Sequence, residues 1–236
     1  AKPTLESKSA RRELPRRPMG IIFAQPRCWA STVVAAASYG VMVFYMAAVP
    51  LEMKQAGFSF AQSSLTVQFH MVLMFAPSFV TGHAIKRLGA PVLEVAGALL
   101  LAVGSAIAYA EASLVGFVLS QAVIGLGWNL CFVPATACLA KQTRPSETAR
   151  VQSANDVVVF LTSGSCMVVA APALNGLGWK SMQYVSFATS TAILLAVLAS
   201  EGLEAQRGRT NVELELHQHQ RATEAAHCTT SAAEHT

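Results

Sequence analysis

The chain has 236 residues, 53% of them hydrophobic and 13% charged, with a formal net charge of +4. That charged share is about half of what soluble domains carry, and nearly all of it lies outside six long apolar stretches, which excludes a soluble globular fold. The positive balance then belongs to membrane topology and not to a nucleic-acid partner.

Residues 1–27 form a polar leader with Lys2, Lys8, Arg11, Arg12, Arg16, Arg17 and Arg27. Its first apolar run has no cleavage site behind it, so it reads as a topogenic cytoplasmic segment and not as a secretory signal. Opening on Ala1, it is expected to be the end of a loop in a longer protein. The six apolar spans follow at 29–51, 63–82, 91–110, 112–140, 152–174 and 182–200. Each offers about twenty residues or more, and at ~1.5 Å per residue such a helix crosses the ~30 Å hydrocarbon layer. The runs are continuous, which predicts helices; barrel strands would alternate every second residue over about ten positions. Residues 28–200 are therefore expected to form an all-α, six-helix transmembrane bundle. Residues 201–236 are rich in Glu, Gln, Thr, Ala and His and have no aromatic residue. They predict a cytoplasmic tail that starts helical and is then largely disordered.

Fifteen of the 17 Lys and Arg residues lie on the leader, the tail and the connections after the second and fourth spans. Lys54 and Lys180 alone lie on the opposite side. Basic residues are retained in the cytoplasm, so both termini are expected there, in a multi-pass protein of the plasma (inner) membrane. The five cysteines (Cys28, Cys131, Cys138, Cys166, Cys228) have no metal-ligand spacing, and an odd number closes no disulfide framework. No metal and no cofactor is expected.

Polar side chains within a bilayer are costly unless they pair, line water or bind something. In the fourth span Gln121, Gly125, Trp128 and Asn129 fall on one helical stripe. Either they contact a solute, or they form an interhelical contact with a satisfied amide. In the second span Gln68 and His70 point about 200° apart at helical spacing. His70 titrates near working pH and either carries a proton or hydrogen-bonds a carbonyl. Asp156, the only aspartate, lies early in the fifth span. It either pairs with Arg150 or Arg87 and complements the helix dipole, or takes part in proton coupling. Glu94 has the same two readings. Tyr39 and Tyr45 in the first span are candidates to face a cavity.

The first three spans echo the last three. Val49-Pro50 matches Val133-Pro134, Ala76-Pro77 matches Ala171-Pro172, and Leu100-Leu101-Ala102-Val103 matches Leu194-Leu195-Ala196-Val197. The first span and the fourth run in opposite directions, so these would be 3+3 inverted repeats, an architecture that places a binding site near mid-membrane.

The segment Gly82-His83-Ala84-Ile85-Lys86-Arg87-Leu88-Gly89 resembles the short cytoplasmic loop motif of the major facilitator superfamily, with Gly82, Arg87 and Gly89 matching and Lys86 in place of its acidic residue. Gln68-Phe69-His70, Met74-Phe75-Ala76-Pro77-Ser78-Phe79, Gly125-Leu126-Gly127-Trp128-Asn129 and Arg150-Val151-Gln152 with Asn155-Asp156 extend the likeness to a bacterial-type branch, over about residues 19–200. The resemblance implies the C-terminal six-helix half of a twelve-helix transporter, with an N-terminal half as partner and a small-molecule solute carried between them. The first and fourth spans would line the cavity, and the third and sixth would face lipid. On this reading Tyr39, Gln68, Gln121, Trp128 and Asn129 contact the solute, His70 and Asp156 are proton-coupling candidates, and the function is secondary active transport by alternating access. A truncated or non-transporting membrane interaction protein is the alternative. An intramembrane enzyme is disfavoured, because Ser163-Gly164-Ser165 lacks a Gly-x-Ser-Gly element with a later intramembrane histidine.

Overall fold

The computed structural model describes residues 16–233, those from 211 onward as backbone only; the leader up to residue 15 and the last three residues lie outside the described chain. The described residues contain helices and no strand. These are α1 (Met19–Phe23), α2 (Pro26–Gln55), α3 (Phe60–Phe75), α4 (Ser78–Leu88), α5 (Ala90–Ala110), α6 (Leu114–Lys141), α7 (Pro145–Leu177) and α8 (Trp179–Ala233). Six spans are long and apolar enough to cross a membrane. They are α2, the α3–α4 pair, α5, α6, α7 and the first part of α8. The last helix keeps its backbone conformation to Ala233, well past the short helical start expected of the tail.

Local chemistry sets the ends of these helices. Pro occupies the first turn of α2, α5 and α7, where its missing N–H costs nothing. Ser59 and Gln62 form a reciprocal capping box at the start of α3, with Ser59 N donating to Gln62 Oε1 at 2.8 Å and Gln62 N to Ser59 Oγ at 3.3 Å. Gly89 has φ +85° and Gly178 φ +77°, a left-handed geometry that lets one span stop and the next begin within a single residue.

The packing is two-fold in pattern. The first span packs against the fourth, fifth and sixth; the fourth packs against the first, second and third; the third also meets the sixth. Exchanging the first with the fourth, the second with the fifth and the third with the sixth leaves this set unchanged. Helices three crossings apart run antiparallel, so the two triplets are inverted repeats. The first and fourth spans form the centre: 61% and 56% of their apolar windows are buried, against 22% for both the second and the fifth.

Small residues allow the closest approach, between α5 and α6. A Cβ placed on Gly97 would lie 2.7 Å from the Gly127 carbonyl oxygen, and one on Gly104 would lie 2.6 Å from Ile124 Cγ1. Lipid supplies no hydrophobic drive between helices, so such backbone contact is what holds them.

The described end of the leader is folded against the bundle. Arg17 meets Glu147 of α7 at 2.8 Å and also donates to the Gln142 carbonyl at 3.1 Å. The hydrogen bond to Glu147 raises the Arg17 guanidinium further above its ordinary value. Beside this pair, Ile22 packs with Cys28, Leu139 and Val151. Arg27, assigned to the leader by the sequence, is instead the second residue of α2 and is buried.

Candidate functional site

An aromatic cluster forms where the first, second, fourth and fifth spans meet. Trp128 and Phe132 stack with centroids 4.9 Å apart and planes 13° apart. Tyr39 stands edge-on to Trp128 at 5.7 Å, to Phe132 at 5.3 Å and to Phe160 at 6.2 Å. Phe75 approaches Trp128 edge-on at 6.3 Å. Tyr39, Phe75, Trp128 and Phe160 each lie within two residues of the midpoint of their span, so the cluster sits at mid-membrane. Its outer rings are open, with Phe160 63% and Phe75 51% exposed, while Trp128 is buried. The indole N–H of Trp128 has no acceptor. Trp128 Nε1 is thus a buried donor without a partner, set beside exposed aromatic rings.

A polar seam between the second and fourth spans supports this cluster. Gly125 makes it possible, since a Cβ there would lie 2.6 Å from the His70 carbonyl oxygen. His70 is fully buried, and its Nδ1 lies 2.9 Å from the Gln121 carbonyl oxygen. A carbonyl only accepts, so the neutral ring carries its proton on Nδ1. That leaves Nε2 as an acceptor without a donor, and the Gln121 amide nitrogen is also without a partner.

Asn129 repairs the break in the second span. Pro77 interrupts the helix between α3 and α4, and Asn129 Nδ2 donates to the Met74 carbonyl at 2.9 Å and to Ser78 Oγ at 2.7 Å. Its Oδ1 accepts from Thr81 Oγ1 at 2.7 Å. The amide is satisfied within the protein, as in the interhelical reading.

The other candidates are separated from this seam. Gln68 is exposed and His70 buried, as their opposed directions require; Gln68 shares a stripe with Phe75, two turns away. Asp156 is exposed, and among the described residues neither Arg150 nor Arg87 forms an ion pair with it. Gly82 and Arg87 are exposed in α4, and Gly89 forms the turn into α5. A separate apolar groove of about 520 Å³ opens between α2, α7 and α8, lined by Gly40, Phe44, Thr162, Cys166 and Thr189.

Two polar clusters join the first, third and sixth spans; of their members the sequence singles out only Tyr45 and Glu94. Near the end that holds Lys54 and Lys180, Tyr45 Oη meets Gln183 Oε1 and Ser105 Oγ, and Ser105 Oγ donates to Ser186 Oγ at 2.5 Å. Trp179 Nε1 closes that end on the Ala108 carbonyl at 2.8 Å. Near the basic end, Arg27 lies 3.6 Å from Glu94 and 3.3 Å from Glu201. The third and sixth spans bury Glu94, Ser105, Gln183, Ser186 and Ser190, and the i, i+3, i+7 spacing of Gln183, Ser186 and Ser190 is a helical stripe that points to the last three.

No family model matches the chain. Over 182 residues it is 32% identical to the riboflavin transporter RfnT of Brucella anthropi, a match covering 77% of this chain and 46% of that protein. It is 27% identical over 164 residues to the uncharacterized MFS-type transporter YdeG of Bacillus subtilis, covering 69% of the chain and 38% of the relative. With the uncharacterized MFS-type transporter YddS of the same organism it shares 31% identity over 160 residues, 67% of the chain and 36% of the relative. The chain therefore spans less than half the length of each of these relatives.

Proposed function

Because the chain belongs to the major facilitator superfamily, we propose that it is the C-terminal bundle of a secondary active transporter that moves a flat, aromatic small solute by alternating access. The observation that carries this reading is the mid-membrane cluster of Tyr39, Phe75, Trp128, Phe132 and Phe160, whose outer rings Phe75 and Phe160 are exposed. Base-like rings stack on such side chains with about 1–3 kcal/mol each. Riboflavin, the solute in the name of the Brucella anthropi relative, has a flat fused-ring system and is the first solute to test.

In this proposal Tyr39 and Trp128 touch the solute's rings, and Gln68 and Gln121 supply polar contacts. Asn129 acts through the second span by holding its break, which keeps Phe75 against Trp128. His70 accepts a proton at Nε2, and Asp156 is the second proton-coupling candidate. Gly82, Arg87 and Gly89 shape the turn on the basic side, which faces the cytoplasm of a plasma membrane. An N-terminal six-helix half covers the exposed faces of the second and fifth spans and completes the path.

The test is riboflavin uptake in cells that co-express this chain with the N-terminal half of the Brucella anthropi relative. Uptake is expected with the pair and not with either half, and Trp128→Ala should lower it at least tenfold while leaving the co-purified complex intact. A complex that assembles without moving riboflavin or related flat heterocycles would favour a non-transporting interaction protein.

A further inference from the structure

The charge triad at the basic end lies apart from the aromatic cluster, and its composition is unbalanced. One guanidinium, Arg27, faces two carboxylates. Its Nη1 lies 3.6 Å from Glu94 Oε2, 3.3 Å from Glu201 Oε1 and 3.2 Å from Ser200 Oγ. Arg27 is 3% exposed and Glu94 0%, whereas the Glu201 side chain is 48% exposed. Neither carboxylate oxygen of Glu94 accepts a hydrogen bond. A buried carboxylate without donors is costly unless well paired, and here its one cation is nearer to a competitor that also has water. A proton on Glu94 removes that cost.

We propose that Glu94 is a proton-binding site whose occupancy sets which span Arg27 holds. Ionised, Glu94 ties the first span to the third through Arg27. Protonated, it leaves Arg27 to Glu201 and Ser200, and so ties the first span to the sixth. The step is a single proton uptake from water on the basic side, converting the carboxylate to a carboxylic acid with no other bond made or broken. The ionisable groups around Glu94 are few. Arg27 comes from α2 and Glu201 from α8. From α6, the Cys131 thiol donates to the Glu94 backbone carbonyl at 3.5 Å, and Cys138 lies beside Arg27. Among the described residues α4 contributes no ion pair to the group.

Proton binding stands apart from the transport reading; only its use as a coupling step rests on it. Infrared difference spectra of the purified chain in lipid nanodiscs, taken between alkaline and acidic pH, read the site directly. A protonated-carboxyl C=O band is expected that Glu94→Gln abolishes. Should that variant not fold, Glu94→Asp keeps the carboxyl and shifts the band's frequency. Arg27→Gln removes the cation and Glu201→Gln the competing anion, so the two variants should move the band's pH midpoint in opposite directions, each by on the order of one pH unit. A band that neither Glu94 variant touches, or a midpoint that ignores both neighbours, overturns the proposal. Solute flux, measured separately with the N-terminal half, tests coupling: Glu94→Gln should flatten its pH dependence. Flux that keeps its pH dependence in a chain whose Glu94 band titrates would overturn the coupling and leave the proton site standing.

Discussion

Asn129 shows how one side chain can decide the course of a whole span. The break at Pro77 leaves the Met74 carbonyl without a helical donor, and in a bilayer no water replaces it. Asn129 supplies that donor and bonds Ser78 and Thr81 with its remaining groups. Replacing it with alanine strands a buried carbonyl at a cost of about 1–2 kcal/mol. Asn129→Ala should therefore lower the unfolding free energy in mixed micelles by that amount. It should also loosen Phe75 from Trp128, seen as a changed indole emission. The stripe from Gln121 to Asn129 was legible in the sequence, but its division of labour was not. Trp128 keeps an unused N–H while Asn129 keeps none, because only Asn129 meets acceptors on the second span.

Among elements, the close pairs and the loose ones carry their glycines differently. Gly97 and Gly104 face backbone or side-chain atoms at 2.6–2.7 Å from where a Cβ would sit, whereas Gly164 and Gly176 of α7 face nothing within 4 Å. Gly97→Ala and Gly104→Ala should each destabilise the bundle by about 1–3 kcal/mol through overpacking. Gly164→Ala and Gly176→Ala should be neutral or stabilising by up to about 1 kcal/mol, since alanine is the better helix former. Thermal unfolding in detergent distinguishes the two sets. Gly97 and Gly104 stand in a run of small residues, Gly97-Ala98 through Gly104-Ser105-Ala106, which allows close approach, but the sequence contains no record of which helix face has a neighbour.

For the molecule as a whole, the charge pattern and the contact pattern make one joint prediction. Six crossings return the chain to the side it started from, with Lys54 and Lys180 on the opposite side from Arg87 and Arg150. Single cysteines at 54 and 180, introduced into a cysteine-free background, should react with an impermeant maleimide from outside intact cells. Cysteines at 87 and 150 should react only after permeabilisation. The reverse pattern would overturn the cytoplasmic placement of both termini. The low burial of the second and fifth spans has a companion consequence under the proposed function: their exposed faces should become protected when an N-terminal half, such as that of the Brucella anthropi relative, is co-expressed.

Hydropathy and charge alone determined the class of this protein, the number of its spans and the alternation of its connections, because the bilayer acts on every residue of a span regardless of its neighbours. The inverted triplets rest on the contact pattern and not on the proline echo, since Pro77 interrupts the second span whereas Pro172 lies inside the continuous α7. Only the tertiary structure decided which helices are central, that Arg27 enters the first span, and that Tyr45, Ser105, Gln183 and Ser186 bond one another. It likewise brought Arg27, Glu94 and Glu201 together from positions remote in the chain. A side chain's depth is written in its own sequence, but its partner depends on which faces two distant helices turn toward each other.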